Sequence, residues 1–306
     1  MTDWAEWRTE CDDGWSHHGL ATLPDGTVVG YHPRDRALLV FDTDGAILRS
    51  VPCAATEAHD IAVAPDGNLW IADCGNKLCI SRSGKVYVDP PVEESNGRVL
   101  LVDLDGTTLR TIDQLGDGPF LPTGVAVDDR GLWVADGYGS NRVHLVDHDG
   151  EVLLTLDGFD CPHGIVIDRR RSDEPLLYVA ERGAHRLCIY DLAGRFVRHA
   201  GVGDLLAPCA MATVGDDLYV ADLAARVTVL DLDDRLVTHL GAGDTARKGW
   251  PNALADGRPV PPPSEPGRFN SPHGITTTAN GDVVVTEWCL GGRWVRLPAG
   301  ATSNPR

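Results

Sequence analysis

Three histidines occupy matching places in three stretches of this chain. Cys161-Pro162-His163-Gly164-Ile165 returns as Ser271-Pro272-His273-Gly274-Ile275, and Ala58-His59-Asp60-Ile61-Ala62 is a looser version upstream. The histidines lie about 104 and about 110 residues apart. Imidazoles repeated at one place in a repeating unit have two explanations. They are a repeat consensus in which each ring bonds within its own loop, or they are nitrogen ligands carried round one cation. Three neutral imidazoles with an open position describe a catalytic zinc centre, where the metal lowers the pKa of a bound water to about 7 or polarises a substrate oxygen.

The unit that carries them decides between the two. From Gly19 to about Leu297 the chain repeats an apolar alternating run, a Pro/Asp-Gly turn, a second run ending in Ala-Asp or a close variant, then a third run and another Asp-Gly turn. Alternating runs of Val, Leu, Ile and Trp bounded by such turns are antiparallel hairpins. The second strands count the copies: 27–31, 69–73, 132–136, 177–181, 218–222 and 283–287. Four short strands in roughly 40 to 60 residues is the period of β-propeller blades, radial sheets that leave short, protected edges. The expected fold is all-β, one six-bladed propeller domain over residues 1–306, with blades at about 17–50, 51–110, 111–157, 158–200, 201–240 and 241–297. Polar excursions at 82–98 and at the proline-rich 245–270 are expected to arch over a rim. Blade six has three convincing strands, so residues 4–10 are expected to supply the fourth and close the ring, removing an open edge.

Aligned on the strand after each lead-in loop, the blades place His18, His59, Thr123, His163, Cys209 and His273 at one station beside the axis. Blades two, four and six alternate, so His59, His163 and His273 point inward about 120° apart. A consensus histidine falls in adjacent blades as readily as in alternate ones, so the alternation favours a ligand set. His18 breaks the alternation, as a second-sphere group or a repeat remnant. Residues just after the second strands, His32, Cys74, Gly137, Arg182, Leu223 and Trp288, form a second ring at the same mouth. Arg182 offers a fixed fork to a carboxylate or oxyanion, and Tyr138 a phenol for proton transfer. The plainer alternatives are a rim aromatic for Tyr138, half of a surface ion pair for Arg182 and a small buried hydrophobe for Cys209.

Leu69-Trp70-Ile71-Ala72-Asp73 after Ala64-Pro65-Asp66-Gly67, Pro122-Thr123-Gly124-Val125-Ala126-Val127 and Phe269-Asn270-Ser271-Pro272-His273-Gly274-Ile275 resemble NHL-repeat propellers over residues 17–297. Within that group the chain is similar to peptidyl-α-hydroxyglycine α-amidating lyase. The resemblance implies a catalytic zinc on His59, His163 and His273, with room for a structural calcium. It implies a catalytic Tyr138 in Asp136-Gly137-Tyr138, Arg182 in Ala180-Glu181-Arg182-Gly183, and a first-blade arginine whose nearest counterpart is Arg34. His18, Cys209, Cys74 and Trp288 would line the pocket. The implied reaction is zinc-dependent cleavage of a carbinolamide-type C–N bond in a small or peptide-like substrate. The lyase family is generally secretory and ties its Asp-Gly-Tyr segment to the preceding loop with a disulfide, where this chain has Gly139 and Leu121. Two rivals share the fold. One is a gluconolactonase-type hydrolase with calcium on oxygen ligands, for which Glu287 and Asn141 could be enlisted. The other is a non-enzymatic NHL module binding a protein partner across one face.

The bulk properties narrow the partners. A net charge of −18 opposes nucleic acid and anionic membrane surfaces. No early stretch joins a basic segment to an apolar run, so neither a signal peptide nor a membrane span is expected, and the cytoplasm is the expected compartment. Eight cysteines without CxxC pairs are expected to be free thiols. Gly201-Val202-Gly203-Asp204 and Gly241-Ala242-Gly243-Asp244 are turn punctuation and not phosphate loops, and no nucleophile elbow stands out.

Overall fold

The computed structural model describes residues 4–9, 11, 14–75 and 97–300. Six four-stranded antiparallel sheets follow one another along the chain. Their innermost strands are Ala21–Thr22, Ala58–Val63, Gly124–Asp128, Pro162–Asp168, Pro208–Val214 and Pro272–Thr277. Each inner strand touches the next round a circle, and the sixth touches the first, which is the six-bladed propeller the repeats predict. The described residues contain no α-helix, and no helix is long and apolar enough to cross a membrane.

The turn chemistry explains the strand spacing. Before the outermost strand of five sheets an aspartate accepts a bond from the N–H four residues on: Ala46 to Asp42, Thr107 to Asp103, Glu151 to Asp147, Arg195 to Asp191 and Arg235 to Asp231, all at 2.8–2.9 Å. The third residue after that aspartate has positive φ, as at Gly106 (85°) and Gly194 (83°), which is why Asp-Gly marks these turns. In the fifth sheet Asp234 takes the place of glycine at φ 60°.

The ring closes as predicted. Ala5–Trp7 forms the outer strand of the sixth sheet, with Ala5 opposite Arg296 and Trp7 opposite Trp294. Trp7, Phe41 and the fully buried Trp294 then fill the seam between the last sheet and the first. The excursion at 245–270 contains a small hairpin, Ala253–Ala255 with Arg258–Val260. Its Trp250 packs 6.2 Å from Trp288, so the segment does lie over one mouth. The excursion at 82–98 falls almost wholly outside the described residues, as does Cys79. No disulfide joins any two of the seven described cysteines.

Candidate metal centre

The acid that ends the second strand of sheets two to six aims the lead-in loops. Asp73 accepts from the backbone N–H of Thr56 at 2.8 Å and of Glu57 at 2.9 Å. Asp136 holds Leu121 N (2.7 Å), Glu181 holds Asp160 N (2.9 Å), Asp222 holds Ala207 N (2.7 Å) and Glu287 holds Ser271 N (3.2 Å). Four of these buried acids are clasped in turn by an arginine: Arg98, Arg186, Arg226 and Arg293. The repeated Ala-Asp is therefore a staple that fixes the loop carrying the axial side chain.

Pro-His-Gly has its own explanation. His163 Nδ1 lies 2.8 Å from the Cys209 carbonyl, the station residue of the next sheet. A Cβ on Gly164 would stand 2.2 Å from that same oxygen, so glycine is what lets the neighbouring strand come close enough. His59 Nδ1 reaches the Thr123 carbonyl at 2.6 Å, and His273 Nδ1 faces the His18 carbonyl at 3.4 Å. A carbonyl can only accept, so each Nδ1 carries the proton and each Nε2 presents its lone pair to the axis. Three imidazoles are thereby oriented by neighbouring sheets, as metal-binding histidines are by their outer partners.

A fourth imidazole joins them. His17, not His18, enters the centre, with ring centroids 4.6 Å from His59 and 4.5 Å from His273. The potential ligand atoms of His17, His59, His163 and His273 lie within 4.8 Å of one another, and all four residues are buried. Tyr138 Oη sits among the Nε2 atoms, 3.0 Å from His163, 3.2 Å from His59 and 3.3 Å from His17. Arg182 donates through Nη1 to the same oxygen at 3.1 Å and stacks over the ring at 5.1 Å. Its Nη2 donates to Cys161 Sγ at 3.2 Å. Arg182 belongs to no ion pair among the described residues, although most described arginines do.

Electrostatics favour a neutral His163. Burial first, then the Arg182 charge and the facing His59 and His273, hold His163 well below the usual imidazole range. Burial raises the Tyr138 phenol well above its ordinary value, and Arg182 opposes that shift. Behind the imidazoles the axis opens into a cavity of about 400 Å³ lined by all six inner strands.

The remaining expected site residues fall in several places. His18 occupies its station, but its ring turns away and packs 5.3 Å from Trp294, while Nε2 is buried without a hydrogen-bond partner among the described residues. It is thus a wall residue whose carbonyl serves His273. Cys209 is fully buried beside Arg182, and burial pushes its thiol up to about 12. Cys74 is buried within ligand distance of His17, and Trp288 lies 6.1 Å from the His17 ring. Arg34 is half exposed on a turn with its Nε 3.2 Å from Asp35. Glu287 and Asn141 are engaged in the scaffold: Glu287 as staple and partner of Arg293, Asn141 as acceptor from Cys161 N at 3.2 Å. Sequence reasoning missed His17 and Glu57, whose carboxylate meets His17 Nδ1. The signals were the His17-His18 pair and an acid two residues before His59.

No family model matches the chain, and no curated protein matches it. Solved structures do. A streptogramin B lyase aligns over 96% of this chain and 96% of its own, at 15% identity and a TM-score of 0.62. A catalytically inactive histidine-to-alanine variant of virginiamycin B lyase from Staphylococcus aureus, with quinupristin, aligns over 97% and 99% at 14% identity and 0.60. A gluconolactonase from Xanthomonas campestris aligns over 96% and 97% at 16% identity and 0.63. At such identities the likeness is one of fold, and the class defined is a six-bladed β-propeller with lyases and a gluconolactonase among its structural neighbours.

Proposed function

We propose that the protein is a metal-dependent lyase of the amidating-lyase type, acting on a small or peptide-like substrate with a carbinolamide C–N bond. The observation that carries this reading is the gathering of four buried imidazoles, three of them within 3.3 Å of Tyr138 Oη, beside a guanidinium with no carboxylate partner among the described residues. The donor set fits a borderline ion such as zinc, because calcium takes six to eight oxygens. Neither group of three or more ligating side chains among the described residues is made of oxygens alone, which also weakens the case for a side-chain calcium site. His59, His163 and His273 would hold the ion through Nε2, with His17 as a fourth nitrogen.

Such an ion supplies Lewis acidity toward a substrate oxygen. Arg182 holds the anionic end of the substrate with its free donors. Tyr138 accepts the hydroxyl proton at Oη and returns it to the departing nitrogen as the C–N bond breaks, leaving an aldehyde and a primary amide. Burial works against ionisation of Tyr138 and Arg182 works for it, so turnover on this reading rises with pH on the acidic side of its optimum. That a histidine-to-alanine change inactivates virginiamycin B lyase, a structural neighbour, supports a histidine-centred mouth.

The test is metal analysis of the purified protein together with turnover of a hydroxyglycine-type carbinolamide. Wild-type protein is expected to carry zinc, and His163→Ala to lose both the axial ion and the activity. A wild type with no divalent ion after growth in zinc-replete medium overturns the reading. Zinc-independent, calcium-dependent lactone hydrolysis would move it to the gluconolactonase type instead.

A further inference from the structure

His17 has two ring nitrogens, and they face two different sets of ligands. Its Nε2 is 3.3 Å from Tyr138 Oη on the axis, whereas its Nδ1 meets the Glu57 carboxylate. The other three imidazoles turn Nδ1 to neutral backbone carbonyls. At His17 alone that nitrogen faces ionisable side chains, and one of them has a neighbour that makes a set. The ligand atoms of His17, Glu57 and Cys74 lie within 4.8 Å of one another. His17 and Cys74 are buried, and the Glu57 side chain is 17% exposed.

We infer that His17, Glu57 and Cys74 form a second metal site, loaded by a thiophilic divalent ion such as zinc, with His17 as an imidazole bridge to the axial site. The backbone positions of Glu57 and Cys74 in this set are held by the scaffold. Glu57 N is fixed on Asp73 Oδ1 at 2.9 Å, and Cys74 N bonds back to the Glu57 carbonyl at 3.3 Å. The staple that aims His59 therefore also sets Glu57 beside Cys74.

One sulfur, one nitrogen and one carboxylate oxygen with a fourth position open is a tetrahedral zinc-type donor set. Two anionic ligands offset the charge of a dication in a site largely closed to water. The thiolate selects zinc-like ions against calcium and magnesium. On loading, Cys74 gives up its S–H proton and His17 its Nδ1 proton, and both pass to solvent as the metal–sulfur and metal–nitrogen bonds form. The site shares His17 with the proposed axial centre but does not depend on the lyase reading, because its ligands and its signature are its own.

Metal-stripped full-length protein titrated with cobalt(II) chloride tests it by equilibrium dialysis and absorption. Two equivalents are expected to bind, with a near-ultraviolet sulfur-to-cobalt charge-transfer band. Cys74→Ser should bind one equivalent, lose that band and keep the visible bands of an imidazole-bound ion. Glu57→Gln, which leaves the thiol in place, should keep the band and require at least about tenfold more cobalt to reach it. His163→Ala should lose the axial equivalent and keep the thiolate band. A wild type that binds one equivalent without the band overturns the second site and leaves the axial reading standing. A band that survives Cys74→Ser overturns it as well, whereas a thiolate band with no imidazole-bound cobalt sinks the axial reading alone.

Discussion

At the scale of single residues, His59, His163 and His273 are oriented by carbonyls of neighbouring sheets, and in the proposed reading they hold the ion. Tyr138 is the one acidic hydroxyl among them. Tyr138→Phe is therefore expected to leave bound zinc unchanged and lower turnover of the carbinolamide by about 10²- to 10⁴-fold, measured by steady-state kinetics beside metal analysis. A variant that keeps wild-type turnover would remove the proton-transfer role. Away from the mouth, His144 accepts or donates one bond to Thr155 Oγ1 at 3.0 Å while its Nε2 is buried without a partner among the described residues. Burial lowers its pKa from 6.5. Below about pH 6.5 the unfolded chain binds this proton and the folded one resists it, so stability falls as the pH falls through that value. His144→Gln is expected to make the fall between about pH 7.5 and about pH 5 shallower, read from urea midpoints. An unchanged slope would mean the ring is protonated in the folded protein without cost.

At the scale of elements, two devices position the candidate site: the acid staple at the end of the second strand in sheets two to six and the glycine after His163 and His273. Gly164→Ala would press a methyl group to 2.2 Å from the Cys209 carbonyl, the acceptor of His163 Nδ1. The neighbouring strand must then move. We expect a loss of about 1–3 kcal/mol in chemical denaturation, with faster zinc loss to a chelator than in wild type. Wild-type zinc retention in a destabilised Gly164→Ala protein would show that the histidine is not positioned through this contact. Expecting the repeat consensus and the ligand set to be rival explanations was too sharp. Glycine does the packing and histidine faces the axis, so one motif does both.

At the scale of the whole molecule, the first and last described strands meet at the seam between the sixth and first sheets. Ala5–Trp7 covers the edge of Arg293–Leu297, and Trp294 fills the gap between the sheets. Deleting residues 1–10 should expose that strand edge and Trp294 together. Concentration-dependent association is expected in light scattering, beyond whatever the full chain shows. Trp294→Ala, which keeps the strand, should cost about 3–5 kcal/mol without that association. A deletion variant as disperse and as stable as the full chain would show that the closing strand is dispensable.

The chain order, period and turn residues determined the architecture, because alternation, Asp-Gly turns and Ala-Asp ends are local features that act within one hairpin at a time. They also determined that His59, His163 and His273 come round to one axis, since equal stations in alternate blades must face one another. Tertiary structure alone decided which of two adjacent histidines completes the centre. Trp15–Ser16 pairs with Cys289–Leu290, near the other end of the chain, and His17 follows that pairing into the mouth while His18 packs on Trp294. The meeting of Glu57 and Cys74 with His17 likewise depends on two lead-in segments and the turn after Leu69–Asp73 converging. Side-chain direction at the end of a loop is set by what the loop is tied to, and those ties join residues too far apart in sequence for any local pattern to show them.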